Sequence, residues 1–113
     1  FVAEAKDGEV IEYTITPEQF GLSRAPLSSI AADGVESSLA MLRGVLANED
    51  NPAADIVALN AGAAIYVAGL ADTLEQGVAM AQDAVGSGIA KDKLAELVNM
   101  SAVYCQEVQE AEA

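Results

Sequence analysis

The most apolar stretch of the chain runs from Asp55 to Asp72, where only Asn60 and the hydroxyl of Tyr66 are polar. A helix that is apolar on every side is buried in a protein core or in a bilayer. This stretch is shorter than the about 20 residues that a bilayer span requires. It therefore predicts the central helix of a helical cluster. The small residues that would let neighbouring helices approach closely are Ala61, Gly62, Ala64 and Ala68.

Asn60 is the polar exception in this predicted helix. A buried amide is normally satisfied by a backbone carbonyl or a nearby loop, and a ligand contact is the alternative. The chain offers no phosphate-binding or metal-binding partner for such a ligand, so we favour the structural role. Asn60 should then bond to backbone, and Asn60→Leu should lower stability and leave chemistry unchanged.

The residues from Phe1 to Ile15 form two extended runs around Asp7-Gly8. Asp-Gly between strands is a strong signal for a type I′ turn, because both central positions adopt positive φ. A two-residue loop would pair Lys6 with Glu9, Glu4 with Ile11 and Val2 with Tyr13. A lone hairpin is marginal in water, so this ribbon should pack on other structure.

Capping patterns then mark the helical elements. Thr16-Pro17-Glu18-Gln19 predicts a single capped turn, which Gly21 ends. A loop with one short turn should follow. Further helix starts are predicted at Asp33 with Glu36, at Asn51 before Pro52, and at Asp72 with Glu75.

Apolar residues spaced three and four apart predict four main helices with one buried face each. The central helix should end at Gly69 or Leu70, and Gly86-Ser87-Gly88 should end the third. The last should run from about Ala90 to about Val108, with a frayed acidic tail. The predicted faces are Val35, Leu39, Leu42 and Leu46; Leu74, Val78, Ala81 and Val85; and Leu94, Leu97, Val98, Ser101, Ala102 and Cys105.

The charge balance narrows the possible partners. The 113 residues carry 18 acidic and 5 basic side chains, a net charge of −13. Nucleic acid and anionic membrane are excluded as partners, since both require basic patches. No signal peptide is visible. The single cysteine excludes an internal disulfide and fits a reducing compartment, so we expect a cytoplasmic location.

Candidate chemistry is sparse. With no histidine and one cysteine, an ordinary zinc site is excluded. Cys105 lacks an activating partner, so we interpret it as a packing residue. The basic residues are scattered, and Glu49-Asp50 fits a solvated face better than a cation site. No catalytic, cofactor-binding or metal-binding residue is therefore assigned.

Several longer motifs nevertheless follow one another in a distinctive order. The matched positions are Tyr13, Pro17, Glu18, Phe20 and Gly21; Leu59, Asn60 and Ala61; Tyr66, Val67, Ala68 and Gly69; Leu74 and Gly77; and Ser87, Gly88 and Ala90. Together they resemble the C-terminal third of anthranilate phosphoribosyltransferase, over roughly residues 1 to 100. The sequence departs from that pattern at Ala54, where the family often has Arg, and after Val103.

The resemblance implies an α+β fragment with an N-terminal β-hairpin followed by four main helices. It would be part of a two-domain phosphoribosyltransferase fold, with a helical and an α/β domain. Residues 1–32, the hairpin and capped turn, would belong to the α/β domain. Residues 33–113 would be a helical segment that completes the parent enzyme's domains.

The implied activity is transfer of a phosphoribosyl group from phosphoribosyl pyrophosphate to anthranilate, with magnesium, in tryptophan biosynthesis. The family's Gly-Thr-Gly-Gly-Asp, His-Gly-Asn-Arg and Asp-Glu motifs are absent here. In the family they precede the stretch that begins at Phe1. The resemblance thus implies that both substrates and magnesium bind upstream parts, and that no residue of this chain is catalytic.

The chain begins at Phe1 without Met and enters a strand pattern at once, which predicts a piece of a longer chain, inactive alone. Its expected partners are the rest of the parent enzyme and further copies in a homo-oligomer. Two alternatives remain: an acidic helical interaction module with an exposed apolar face, and a relative of the same fold without transferase activity.

Overall fold

The structure is a computed structural model that describes all residues from Phe1 to Ala113. A β-hairpin is followed by two short 3-10 turns and four helices, which confirms the predicted α+β fragment. The strands are β1 (Val2–Lys6) and β2 (Glu9–Tyr13), and the 3-10 turns are Pro17–Phe20 and Leu27–Ile30. The helices are α1 (Val35–Leu46), α2 (Pro52–Val67), α3 (Leu74–Gly86) and α4 (Ile89–Glu112).

The hairpin has the predicted register. Lys6 pairs with Glu9, and the ladder ends with Val2 opposite Tyr13. Asp7 and Gly8 have φ angles of 53° and 80°, as a type I′ turn requires. The two strands form a sheet of their own, since no third strand is present.

Two predicted helix starts are confirmed. The Asn51 side chain accepts a hydrogen bond from the Ala54 N–H at 3.0 Å, and Pro52 is the first residue of α2. At the first 3-10 turn, the Gln19 side chain accepts the Thr16 N–H at 2.9 Å. Each bond satisfies a donor that the first helical turn would otherwise leave unpaired.

The predicted start of α1 is wrong. The helix begins at Val35 with Gly34 before it, and no side chain caps it. The Ser37 hydroxyl, instead of Glu36, accepts the Asp33 N–H at 3.0 Å. A short hydroxyl side chain competes well for a nearby backbone donor, so it displaces the carboxylate expected there.

The start of α3 is shifted by one residue from the prediction. Thr73, not Asp72, is the N-cap, and its hydroxyl accepts the Gln76 N–H at 3.1 Å. The Gln76 side chain in turn accepts the Asp72 N–H at 3.0 Å. Gln76 therefore takes the role predicted for Glu75, because the cap moved one position along the chain.

Left-handed residues end three of the helices. Gly69 (φ 78°) follows α2, which ends at Val67, two residues before the predicted end. Gly88 (φ 86°) follows α3, as predicted, and Asn48 (φ 61°) follows α1. Glycine and asparagine adopt this conformation at low energetic cost. The predicted fraying of the acidic tail is wrong, because α4 remains helical to its end.

The closest packing in the molecule joins α2 to α3. Gly62 of α2 and Gly77 of α3 are both buried and face each other. A Cβ at Gly62 would lie 2.6 Å from Val78 backbone atoms, and one at Gly77 would overlap the Gly62 carbonyl oxygen. The prediction that small residues on α2 admit a close neighbour is confirmed at Gly62. Val78 is only 2% exposed and forms the centre of this contact.

The core is otherwise incomplete. Only 10 of 113 residues are buried, and the Cα radius of gyration is 17.3 Å, against about 13 Å for a compact domain of this length. The prediction that α2 is buried on every side is wrong, since Ile56 and Val57 are 39% and 38% exposed. The predicted apolar face of α1 is also open, with Val35 84% exposed. These faces lack the neighbours that would cover them.

None of the helices combines the length and the apolarity needed to cross a membrane.

Candidate functional site

One group of polar side chains brings together residues from distant parts of the sequence. Glu4 of β1 accepts hydrogen bonds from the Tyr66 hydroxyl at 2.6 Å and from the Tyr13 hydroxyl at 3.0 Å. Lys6 Nζ lies 3.5 Å from the Tyr66 hydroxyl and 5.6 Å from the centre of its ring. We call Glu4, Lys6, Tyr13 and Tyr66 the tyrosine–glutamate cluster.

The local structure explains how this cluster forms. Val2 lies opposite Tyr13, so Glu4 is a diagonal neighbour of Tyr13 on the same face of the hairpin. Lys6 shares that face because side chains alternate along a strand. Tyr66 comes from the last turn of α2. The cluster therefore fastens the hairpin to the end of the central helix.

Hydrogen bonding and charge shift the pKa values in the cluster. The bond from Tyr66 is the main cause that lowers the pKa of Glu4, assisted by Tyr13 and Lys6. The Tyr66 hydroxyl is also the main cause that raises the pKa of Lys6. Burial, followed by the bond to Glu4, raises the pKa of Tyr13. The lowered pKa of Glu4 favours its charged form, and the raised pKa of Tyr13 favours the neutral hydroxyl that donates to Glu4.

This arrangement serves attachment better than catalysis. The Glu4 carboxylate already accepts two hydroxyl donors, and no nucleophile with an adjacent base is present in the cluster. The cavity beside it, of about 320 Å³, is also lined by the acidic Asp72 and Glu75. Such a lining repels the anionic phosphates that a phosphoribosyl donor carries. The cluster is therefore a joint between elements.

A second polar region surrounds Asp55 in the first turn of α2. Burial, and then the nearby Asp50, raise the pKa of Asp55. The two aspartates and Glu49 line a cavity of about 260 Å³. No three His, Cys, Asp or Glu side chains in the chain are placed so that they could hold a metal ion. A raised carboxylate pKa also disfavours the ionised form that a cation requires.

Asn60 and Cys105, the two residues that the sequence singled out, do not belong to the tyrosine–glutamate cluster. Asn60 Nδ2 donates to the Ile56 carbonyl oxygen at 2.9 Å, which confirms a backbone partner. Asn60 is exposed, however, so the predicted buried position is wrong. Cys105 is also exposed, and its predicted packing role is wrong because α4 has no neighbour there.

The sequence reasoning missed the tyrosine–glutamate cluster. Glu4 and Tyr66 are 62 residues apart, and no local pattern connects them. One signal was available: a tyrosine hydroxyl at the end of an apolar helix requires a hydrogen-bond partner. Alternation along β1 placed Glu4 and Lys6 on one face, but the sequence did not show which helix would meet that face.

Comparison with known proteins places the chain in a family. Residues 1–91 match the model of the glycosyl transferase family, a/b domain. Over 112 residues, 96% of the chain, it is 50% identical to the anthranilate phosphoribosyltransferase of Stutzerimonas stutzeri (strain A1501). It is 53% identical over 100 residues, 88% of the chain, to the enzyme of the same name from Methylococcus capsulatus (strain Bath).

The match extends over part of each relative only. The chain covers 32% of the Stutzerimonas enzyme and 29% of the Methylococcus enzyme, so it spans about a third of their length. The resemblance to anthranilate phosphoribosyltransferase inferred from the motifs is confirmed by these identities. The chain therefore belongs to the glycosyl transferase family, within its a/b domain.

Proposed function

We propose that the chain is the C-terminal scaffold portion of an anthranilate phosphoribosyltransferase. Its observed identity of about half over nearly its whole length, to enzymes of that name, carries the proposal. The parent enzyme would transfer a phosphoribosyl group from phosphoribosyl pyrophosphate to anthranilate in tryptophan biosynthesis, in the cytoplasm. Upstream parts would bind both substrates and magnesium.

The chemistry of the chain supports a scaffold role. The two regions of polar side chains are a hydrogen-bonded joint, in which the single cation, Lys6, contacts Tyr66, and an acidic cavity. Arg24 and Lys93 form ion pairs with Glu18 and Glu96. The apolar faces left open on α1 and α2 provide surfaces on which the rest of the enzyme packs.

A chimera tests this function. The last third of the Stutzerimonas enzyme is replaced by the present chain, and phosphoribosyl transfer to anthranilate is followed by the loss of anthranilate fluorescence. We expect turnover close to that of the natural enzyme, because about half of the exchanged residues are identical. The enzyme without its last third serves as the control and should be inactive.

A folded chimera without turnover would contradict the proposal and favour a relative of the same fold that has lost transferase activity. That variant's fold is checked by circular dichroism and by its melting temperature.

The second candidate is an acidic interaction module that works without an upstream enzyme. The exposed apolar residues of α1 and α4 favour it. A module of this kind would show a cooperative melting transition as an isolated chain. A scaffold portion should instead be much less stable alone than the same residues are within the chimera. Differential scanning calorimetry of the isolated chain and of the chimera separates the two.

A further inference from the structure

Two of the five basic residues line one cleft between α1 and α4. Arg43 lies in the last turn of α1, and Lys91 lies in the first turn of α4. Both helices pack on α3, and the space left between them has a volume of about 500 Å³. The fold therefore brings to one place two cations that are far apart in the sequence.

Helical spacing explains which side chains line this cleft. Residues three and four positions apart lie on the same face of a helix. The side formed by α4 contains Lys91, Leu94, Ala95, Val98 and Asn99, and the side formed by α1 contains Arg43, Leu46 and Ala47. We call these eight residues the α1–α4 cleft. Its lining is thus mainly apolar, with one cation from each helix and one amide.

The charge of the α1–α4 cleft is opposite to that of the molecule. The chain carries 18 acidic and 5 basic side chains, yet no acidic side chain lines the cleft. Arg24, Lys93 and Lys6 each contact a polar group elsewhere. Arg43 and Lys91 have neither an ion pair nor a hydrogen-bonded side-chain partner. The two cations that the rest of the chain leaves free therefore both line this cleft.

From this combination we propose that the α1–α4 cleft binds a small carboxylate with an apolar body. Ligand sites are mainly apolar, with a few polar groups that fix orientation, and have volumes of about 300–1,000 Å³. The Arg43 guanidinium donates paired hydrogen bonds to the carboxylate, and Lys91 adds a second positive charge. The half-buried Leu46 and Leu94 contact the apolar body, whose burial supplies the attraction that two exposed charges alone do not provide.

The first test is isothermal titration calorimetry of the complete chain with octanoate, below its micelle-forming concentration. We expect saturable binding. The neutral analogue octanol and the short carboxylate acetate should each bind at least about fivefold more weakly, because octanol lacks the charge and acetate lacks the apolar body. The same titration is carried out on the chimera, in which upstream parts fold together with the chain, and octanoate should bind there too.

The second test compares two pairs of charge removals. Arg43→Gln combined with Lys91→Gln should weaken octanoate binding about tenfold, since each exposed charge contributes about twofold to fivefold. Arg24→Gln combined with Lys93→Gln is the matched control, because it removes the same charge outside the cleft. The control pair should leave the affinity within about twofold. Circular dichroism of both double variants checks that the helices are intact.

The third test places a negative charge in the cleft. Val98 lines the cleft, whereas Val108 lies farther along the same helix, and their side chains are 59% and 55% exposed. Val98→Glu should weaken octanoate binding at least about fivefold, because the new carboxylate repels the ligand and pairs with the free cations. Val108→Glu adds the same charge at a similarly exposed position and should leave the affinity within about twofold.

Three results would overturn the proposal. The first is an absence of saturable octanoate binding, or binding of octanol as tight as that of octanoate. The second is an equal loss of affinity for both pairs of charge removals, which would indicate binding to the exposed apolar faces in general. The third is binding to the isolated chain that is lost in the chimera, which would indicate that upstream parts of the enzyme cover the cleft.

Discussion

At the residue scale, the contact between Gly62 and Gly77 determines how closely α2 and α3 pack. Gly77→Ala should lower the free energy of unfolding by about 1–3 kcal/mol, because the added methyl group overlaps backbone atoms that have no room to move. Chemical denaturation followed by circular dichroism measures this loss.

Gly86 is the matched control for that substitution. It lies on the same helix, but a Cβ there would have only the Asn48 side chain within 4 Å, at 3.9 Å. Gly86→Ala should therefore raise stability by about 0.5 kcal/mol, because alanine loses less conformational entropy. Equal destabilisation by both changes would show that helix geometry, and not the close approach, limits position 77.

The exposure of Asn60 reduces the loss of stability expected from its substitution. Its amide is satisfied within its own helix by the Ile56 carbonyl oxygen, and the side chain is exposed. In this chain Asn60→Leu should change the free energy of unfolding by no more than about 0.5 kcal/mol. The cost expected from the sequence alone rested on a buried position that the fold does not provide.

Asn51 is the comparison for Asn60 in the same helix. Its side chain accepts the Ala54 N–H at 3.0 Å, so Asn51→Ala should lower stability by about 1 kcal/mol through loss of the N-cap. Thermal melts of both variants test the contrast, and a larger loss at position 60 would contradict it.

At the scale of elements, the tyrosine–glutamate cluster holds the hairpin against α2. Neither strand shares an extensive interface with a helix, so the hairpin depends on these hydrogen bonds for its position. Tyr66→Phe removes the 2.6 Å bond to Glu4. We expect faster amide hydrogen exchange in β1 and β2, with unchanged exchange in α3. Tyr104 is exposed and has no hydrogen-bonded partner, so Tyr104→Phe is the control. It should leave amide exchange in the strands and in α3 unchanged.

The same joint predicts a pH dependence. The folded state holds the pKa of Glu4 below its ordinary value of 4.5, mainly through Tyr66. The unfolded chain therefore binds this proton more readily, so the stabilisation is complete above pH 4.5 and is lost as the pH falls through the lowered pKa. Melting temperatures of the wild type and Tyr66→Phe should converge on acidification. A constant difference across that range would contradict the assigned cause.

At the scale of the whole molecule, the small core explains why the chain should not act alone. Ten buried residues among 113 leave most apolar faces uncovered, and the proposed scaffold role places substrate binding in upstream parts of the parent enzyme. We expect no transfer of phosphoribosyl to anthranilate by the isolated chain, measured with magnesium and both substrates. Turnover by the purified chain would contradict this prediction and the assignment of the chemistry to upstream parts.

Much of the local structure was predictable because it depends on near neighbours. Asp7-Gly8 determined the turn and hence the hairpin register, and Asn51-Pro52 determined where α2 begins. The helix starts at Asp33 and Asp72 were predicted less well, because several polar side chains within one turn compete for the same backbone donors.

The sequence by itself therefore determined the order and type of the elements and the hairpin register. Only the tertiary structure decided that Glu4 meets Tyr66, that Gly62 meets Gly77, and that the faces of α1, α2 and α4 stay open. The reason is physical. Turn and cap preferences act over a few residues, whereas these contacts depend on how complete elements pack in space.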